Sequence, residues 1–165
     1  ELETSGIQCK LIGPENAYVA ELRQKQQGGA LPDNLVFSGY VDTAQEALRQ
    51  GDVLVNLSHF QESLGRTVLE AMAAGRPVIA YRWGALPELV EHKVTGCLVS
   101  VGNVQVVARY ARKLAEHKEL RGTFGRAAQD KARQHFSRKA SKDGLSKVLR
   151  QLKSRRLEHH PPGMA

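Results

Sequence analysis

The 165-residue chain has few aromatic side chains, only two cysteines and no long apolar segment. Aromatic residues make up 5% of the sequence, too few for the stacking platforms that bind single-stranded nucleic acid, so we expect no nucleic-acid partner. Apolar runs stay well short of the ~20 residues that cross a bilayer. Residues 1–6 are polar and acidic and do not resemble a secretory signal. Cys9 and Cys97 lie in apolar segments, which predicts two buried, reduced thiols in a cytoplasmic protein.

Patterns that bind metals or nicotinamide cofactors are also missing. The sequence has no Asp-x-Asp pair, and His59, His92 and His117 have no ligand spacing with one another or with the cysteines. No Gly-x-Gly-x-x-Gly motif follows a predicted strand, so a nicotinamide site has no support. We therefore expect neither a metal ion nor a cofactor.

Basic residues are concentrated near the carboxyl end. Residues 1–108 carry 8 basic and 12 acidic side chains, whereas residues 109–157 carry 16 basic and 4 acidic ones. Such a region is either a solvated helix face or a surface that contacts an anionic membrane. We expect a cytoplasmic protein in both cases, peripheral to the membrane in the second.

Strand and helix patterns alternate over the first hundred residues, which predicts an α/β domain with a mainly parallel sheet. The strand at Asp52–Leu57 is predicted to be buried because Val53, Leu54 and Val55 are consecutive apolar residues. The predicted strands are Gln8–Gly13, Leu35–Ser38, Asp52–Leu57, Pro77–Ala80 and Gly96–Ser100.

Helical periodicity fills the segments between these strands and continues after the last one. Thr43 and Asn103 are candidate N-caps, and Gly144 is expected to weaken or kink the last helix. We divide the chain into a domain at 1–153 and a flexible tail at 154–165. The predicted helices are Asn16–Gln27, Thr43–Arg49, Gly65–Ala74, Leu86–Glu91, one starting after Asn103, Leu120–His135 and one starting at Ser137.

The segment from Glu62 to Pro77 carries the most chemical information. Gly65 follows a strand and loop and opens a helix, whose free N–H groups and dipole can bind a phosphate without a metal. The alternative is an ordinary helix start with a permissive glycine. Glu62 and Glu70 flank this point, and Glu70 lies in an apolar run. Its carboxylate is either buried and bound by sugar hydroxyls or exposed on the outer face.

The segment Glu62-x-Leu-Gly-x-x-x-x-Glu70-Ala-Met-Ala-x-Gly75-x-Pro77 resembles the core signature of the retaining glycosyltransferases of group 1. The resemblance extends over roughly residues 7–137 and implies the C-terminal, donor-binding half of a GT-B fold, with a Rossmann-like sheet followed by C-terminal helices. The sequence departs from the usual motif at Leu64, where Phe is usual, and at Ala85, where Gly is usual. The further matching segments are Leu11–Gly13, Val36–Val41, Gly84–Glu88, Thr95–Val99 and His135–Ser137.

The resemblance also implies roles for individual residues. Glu62 is the candidate catalytic residue and contacts the donor sugar, while Glu70 binds ribose hydroxyls. The remaining nucleotide-binding candidates are Gly39 and Val41 near the base, backbone groups of Leu64, Gly65 and Arg66 at the diphosphate, and Thr67 in the cleft.

The implied reaction transfers a hexose from a nucleoside diphosphate sugar to a glycan, lipid or small-molecule acceptor with retention and without a metal. The N-terminal acceptor domain and an upstream Arg…Lys pair of the family are not in this sequence. We therefore expect the chain to work within a two-domain enzyme and to be inactive alone. Two alternatives remain: a non-catalytic nucleotide-sugar-binding module, and a sugar-nucleotide epimerase of similar fold.

Overall fold

The computed structural model describes the backbone of residues 6–159 and the side chains of residues 6–154. Strands and helices alternate in it and are followed by three consecutive helices, which confirms the predicted α/β fold. The strands are β1 Cys9–Ile12, β2 Leu35–Gly39, β3 Leu54–Asn56, β4 Val78–Tyr81 and β5 Gly96–Val99. The helices are α1 Ala17–Gln27, α2 Ala44–Arg49, α3 Arg66–Ala73, α4 Leu86–Leu89, α5 Val104–Glu116, α6 Lys118–His135 and α7 Arg138–His159.

Polar side chains fix the starts of three helices. The side-chain oxygens of Asn16, Thr43 and Asn103 accept hydrogen bonds from backbone N–H groups three residues later, at 2.9, 3.2 and 3.2 Å. Each bond satisfies a donor that the helix itself leaves unpaired. The predicted N-caps at Thr43 and Asn103 are thus confirmed.

The described strands form two sheets, both entirely parallel. In one sheet β1 pairs with β2, with Cys9 opposite Leu35. In the other, β4 lies between β3 and β5, with Val78 opposite both Leu54 and Gly96. Helix α2 connects the two sheets and packs on α3.

The core lies on both faces of β4 and β5, because successive side chains of a strand point to opposite faces. Val78 and Ala80 face α3, α4 and the end of α6. Ile79 and Tyr81 face α5 and Phe124 of α6. Helices therefore cover this sheet on both sides, as the consecutive apolar residues of β4 predict for a central parallel strand.

Two predictions of burial are wrong. Val55 of β3 is 46% exposed, because β3 has a neighbouring strand on only one side among the described residues. Cys9 is exposed because β1 lies at the edge of its two-stranded sheet. Cys97, in contrast, is buried in β5, and burial raises the pKa of its thiol to about 11. Both thiols are free.

The three carboxyl-terminal helices differ in how they are packed. Buried residues of α5 and α6 belong to the core, whereas α7 leaves Leu145, Val148, Leu149 and Leu152 between 50% and 62% exposed. Helix α7 runs through Gly144 and continues to His159. The predicted boundary at residue 153 stays a prediction, and residues 160–165 of the predicted tail lie outside the described residues. None of the helices described combines the length and apolar character needed to cross a membrane.

Candidate functional site

The loop after β3 is held in place by short-range hydrogen bonds. The Oδ1 atom of Asn56 accepts from the N–H of Ser58 at 3.1 Å, and Oγ of Ser58 accepts from the N–H of Phe60 at 3.2 Å. The ring of His59 stands edge-on to the ring of Tyr81, with 5.6 Å between their centroids. The loop therefore leaves the carboxyl end of the sheet in a defined direction and leads directly to Glu62.

Glu62 is positioned by the turn that follows β4. The N–H of Ala85 donates to the carbonyl oxygen of Glu62 at 2.8 Å. Gly84 has a φ of +55°, and a Cβ there would lie 2.7 Å from the backbone nitrogen and oxygen of Glu62. Only glycine fits both the conformation and the contact. Sequence reasoning noticed Gly84 and Ala85 only as motif residues; their direct support of Glu62 is visible only in the structure.

Gly65 forms the N-cap of α3 in a left-handed conformation with a φ of 65°, and no side chain caps this helix end. A Cβ on Gly65 would lie 2.8 Å from Leu86 and 3.0 Å from Leu89, so the glycine also allows α4 to pack closely. The first N–H groups of α3 thus remain available for an anion at the carboxyl edge of the sheet.

The residues that follow point away from the core. Arg66, Thr67 and the loop residue Leu64 are exposed, and Leu64 retains 56% of its accessible surface. Of the three expected diphosphate contacts, Leu64 and Arg66 thus lie at the surface, whereas Gly65 between them is buried.

Glu70 lies one helical turn after Arg66 and is neither fully buried nor fully exposed. Its side chain is 34% exposed, and Oε1 lies 3.0 Å from Nε of Arg66, whose side chain is 83% exposed. The buried face of α3 consists of Val68, Ala71 and Met72. Glu70 therefore lies beside this apolar face. Its carboxylate is partly shielded from water, and the charge of Arg66 offsets the cost of this partial burial.

Gly39 and Val41 lie at the carboxyl end of the other sheet. Gly39 ends β2 with a φ of +73°, and its carbonyl oxygen accepts from the N–H of Gly13 at 2.9 Å. A cavity of about 220 Å³ opens beside Gly39, between the ends of β1 and β2 and the start of α1. Val41 is half-buried.

The eight predicted site residues thus fall into two groups at the carboxyl ends of parallel strands. Residues 62–70 form one continuous loop and helix start, while Gly39 and Val41 precede α2, which packs on α3. The loops of both groups also present exposed apolar side chains at Tyr40, Phe60 and Leu64, a feature that sequence reasoning missed. The carboxyl edge of a parallel sheet is where such folds bind their ligands.

Within the side chains that the structure describes, no three histidine, cysteine or acidic residues come together as a metal site would require. The expectation of a reaction without a metal stays a prediction. Away from this site, burial, followed by the charges of Lys93 and Arg82, lowers the pKa of His92.

Known proteins resemble the chain over most of its length. It is 35% identical over 134 residues to N-acetyl-alpha-D-glucosaminyl L-malate synthase of Bacillus anthracis, covering 79% of this chain and 34% of that protein. It is 37% identical over 103 residues to D-inositol 3-phosphate glycosyltransferase of Saccharomonospora viridis, covering 62% of this chain and 23% of that protein. The chain thus spans about a third or less of these relatives' length.

Solved structures share the fold. Anabaena HepE in complex with UDP aligns with a TM-score of 0.77 at 28% identity, covering 88% of this chain and 41% of HepE. The same protein with UDP-glucose aligns with a TM-score of 0.74 at 29% identity, covering 87% of this chain and 41% of HepE. The family model "Glycosyl transferases group 1" matches residues 2–117. The chain therefore belongs to the group 1 glycosyl transferases.

Proposed function

We propose that this chain is the donor-binding half of a retaining hexosyltransferase and that it binds a nucleoside diphosphate sugar at the start of α3. The observation that carries the proposal is the uncapped start of α3 at Gly65, with Glu62 on one side and Glu70 on the other. A helix start of this kind attracts a diphosphate, and carboxylates accept hydrogen bonds from sugar hydroxyls. Structures of HepE with UDP and UDP-glucose support the choice of ligand class.

We assign to these residues the roles that the family resemblance implies. The N–H groups at Leu64, Gly65 and Arg66 face the diphosphate, and Thr67 lines the cleft beside it. Glu70 binds the ribose hydroxyls through its carboxylate oxygens, one of which, Oε1, lies 3.0 Å from Nε of Arg66. Glu62 contacts the transferred sugar, and Gly39 and Val41 lie towards the base.

The arrangement accounts for donor binding but leaves acceptor binding to another domain. Transfer requires the acceptor hydroxyl to be held against the anomeric carbon, which a single exposed sheet edge cannot do. We therefore propose that an acceptor domain in the same polypeptide completes the cleft and that the isolated chain does not transfer sugar. Detectable sugar transfer by the purified 165-residue chain would contradict this part of the proposal.

Calorimetry with UDP-, GDP- and ADP-sugars tests donor binding. Glu70→Gln should weaken binding of the preferred donor by about tenfold or more, because a ribose hydroxyl loses a charged acceptor. Glu116→Gln, a change of the same kind at an exposed position of α5, should leave binding unchanged. If a longer polypeptide from the same reading frame binds none of the three donors, the proposal is wrong.

The two other functions make different predictions. A non-catalytic module would bind the donor without transfer even when the complete reading frame is present. An epimerase would convert the donor into its stereoisomer without any acceptor. Product analysis of the full-length protein with and without acceptor therefore separates both from a transferase.

A second proposed contact concerns α7, whose exposed apolar stripe consists of Leu145, Val148, Leu149 and Leu152. Lys142 and Lys153 lie beside this stripe on the helical wheel, and an amphipathic basic helix binds anionic lipid surfaces. The protein should co-sediment with vesicles that contain about 30% anionic lipid, and Leu149→Ser should reduce the fraction that co-sediments. Equal sedimentation with neutral vesicles, or none with either, would contradict membrane contact.

A further inference from the structure

The loops that follow β3 and β4 are joined at two points. The ring of His59 lies edge-on to the ring of Tyr81, with 5.6 Å between their centroids. Three residues further along the first loop, the carbonyl oxygen of Glu62 accepts from the N–H of Ala85 at 2.8 Å. The short stretches of backbone between these two contacts therefore lie side by side.

Each of these stretches carries an aromatic side chain that is in contact with solvent. Phe60 is 84% exposed, the highest value among the large apolar side chains of the described residues, and Trp83 is 37% exposed. Trp83 is also the only tryptophan of a chain in which aromatic residues make up just 5%. Neighbouring exposed apolar side chains of this size indicate a binding surface.

The backbone that carries the two rings is fixed by hydrogen bonds. Oγ of Ser58 accepts from the N–H of Phe60 at 3.2 Å and lies 3.4 Å from the carbonyl oxygen of the same residue. On the other loop, the N–H of Trp83 donates to the carbonyl oxygen of Tyr81 at 2.9 Å. Both rings therefore start from defined positions, which lowers the entropic cost of binding a ligand against them.

The carboxylate beside the two rings decides what this surface binds. Glu62 follows Phe60 by two residues and is half-buried, and no hydrogen bond or ion pair within the described residues engages its carboxylate. A purely apolar partner, such as an acyl chain, would cover this charge without pairing it, which is costly. A hexose fits better, because its ring has an apolar face of C–H groups and a rim of hydroxyl groups that donate to a carboxylate.

We infer that Phe60 and Trp83 form an aromatic platform for the C–H face of the transferred hexose, while Glu62 binds hydroxyl groups at the edge of the same ring. The platform contacts the sugar and not the nucleoside diphosphate. It therefore favours binding of the intact donor over the nucleoside diphosphate that remains after transfer. The inference rests on the proposed function for the presence of a hexose at Glu62, but it makes a separate prediction about the sugar.

Calorimetry tests the inference on the longer polypeptide from the same reading frame, with the preferred sugar nucleotide and with its nucleoside diphosphate alone. Phe60→Ala should weaken binding of the sugar nucleotide about fivefold, as expected for the loss of one aromatic contact, and leave binding of the nucleoside diphosphate unchanged. Phe60→Tyr, which keeps the ring, should bind both ligands normally. Val104→Ala shortens another exposed apolar side chain, 56% exposed at the start of α5, and should change neither affinity.

The comparison of the two ligands separates this inference from the proposed function. An unchanged ratio of the two affinities in Phe60→Ala, including an equal loss for both ligands, would overturn the platform and leave the proposed donor site intact. If the unsubstituted protein binds neither ligand, the proposed function is wrong and the platform with it.

Fluorescence provides a second readout, because Trp83 is the only tryptophan of the 165-residue chain. At a concentration that calorimetry shows to be saturating, the sugar nucleotide should shift the emission of Trp83 to shorter wavelength, since the hexose excludes water from the indole ring. The nucleoside diphosphate alone should shift it less. Equal shifts with the two ligands, or no shift with the sugar nucleotide, would contradict contact between Trp83 and the sugar.

Discussion

At the scale of single residues, the candidate site depends on close backbone contacts as much as on functional side chains. Glu62 is fixed by its carbonyl bond to Ala85 and by the absence of a side chain at Gly84. The backbone position of Glu62 is therefore set by a turn more than twenty residues away in sequence. Such a contact has no local signal, because any glycine after a strand could serve as an ordinary turn residue.

Gly84→Ala should lower the free energy of unfolding by about 3 kcal/mol and weaken donor binding, since the new methyl group would overlap the backbone of Glu62. Gly102→Ala is the matched control: Gly102 also has a positive φ, of 79°, but nothing lies within 4 Å of its Cβ position. Gly102→Ala should lower the free energy of unfolding by only about 1 kcal/mol and leave donor binding intact. Chemical denaturation and calorimetry measure both effects, and equal costs for the two variants would refute the role of the contact.

His92 should make the stability of the fold depend on pH. Its Nδ1 accepts from the N–H of Leu98 at 3.0 Å, and burial lowers its pKa below the ordinary 6.5. The unfolded chain binds the proton more readily, so the free energy of unfolding should fall as pH drops below about 7 and level off below the lowered pKa. His92→Asn, which keeps an acceptor but does not titrate, should reduce this slope. An unchanged slope in His92→Asn would contradict the assignment.

At the scale of elements, the helices of the carboxyl-terminal region contribute very unequally to the fold. Leu114 of α5 is 1% exposed, whereas Leu149 of α7 is 50% exposed. Sequence periodicity predicts an apolar face for both helices but does not reveal whether that face has a partner. Burial of a face depends on elements that lie elsewhere in the sequence.

Leu114→Ala should therefore lower the free energy of unfolding by about 3 kcal/mol, because it removes buried apolar surface and leaves a cavity, as is usual for core leucines. Leu149→Ala should lower the free energy of unfolding by less than about 1 kcal/mol, because much of the surface of Leu149 is already in contact with water. Denaturant titration of the two variants compares the same chemical change in two environments. A similar loss in both would mean that α7 is packed more tightly than its exposure indicates.

At the scale of the whole molecule, buried residues are confined to the second part of the described chain, from Gly65 to Ala132. The cost of local opening rises with the apolar contacts that must be broken. The unit formed by β1, α1 and β2 should therefore open more easily than the part built on β4 and β5.

Brief digestion with trypsin should cleave after Lys25 or Arg49 before it cleaves after Arg109 or Arg126, because cleavage of folded segments follows local opening. Mass spectrometry of the first fragments identifies the order. Digestion in denaturant is the control and should remove the preference. Early cleavage after Arg126 in the native protein would contradict the proposed difference in stability.

Whether a feature of this molecule could be predicted from the sequence depends on how far apart in sequence the interacting residues lie. Strand and helix positions depend on local signals such as the Thr43 cap and the apolar run of β4, and these predictions are confirmed. Burial of Val55 and Cys9 was predicted wrongly, because the neighbours of a strand are set by the topology of the sheet. The surroundings of Glu70 were left open for the same reason, and the structure places it beside the apolar face with Arg66 as its partner.

The contact between Gly84 and Glu62 has a consequence for how this site can change. Two loops that are separate in sequence share one backbone hydrogen bond and one position with no space for a side chain. Substitutions in the two loops should therefore be non-additive, and a double-mutant cycle between positions 61 and 85 should show coupling where distant pairs show none. An altered donor preference would require compensating changes in both loops, so that the site would diverge between relatives by paired substitutions.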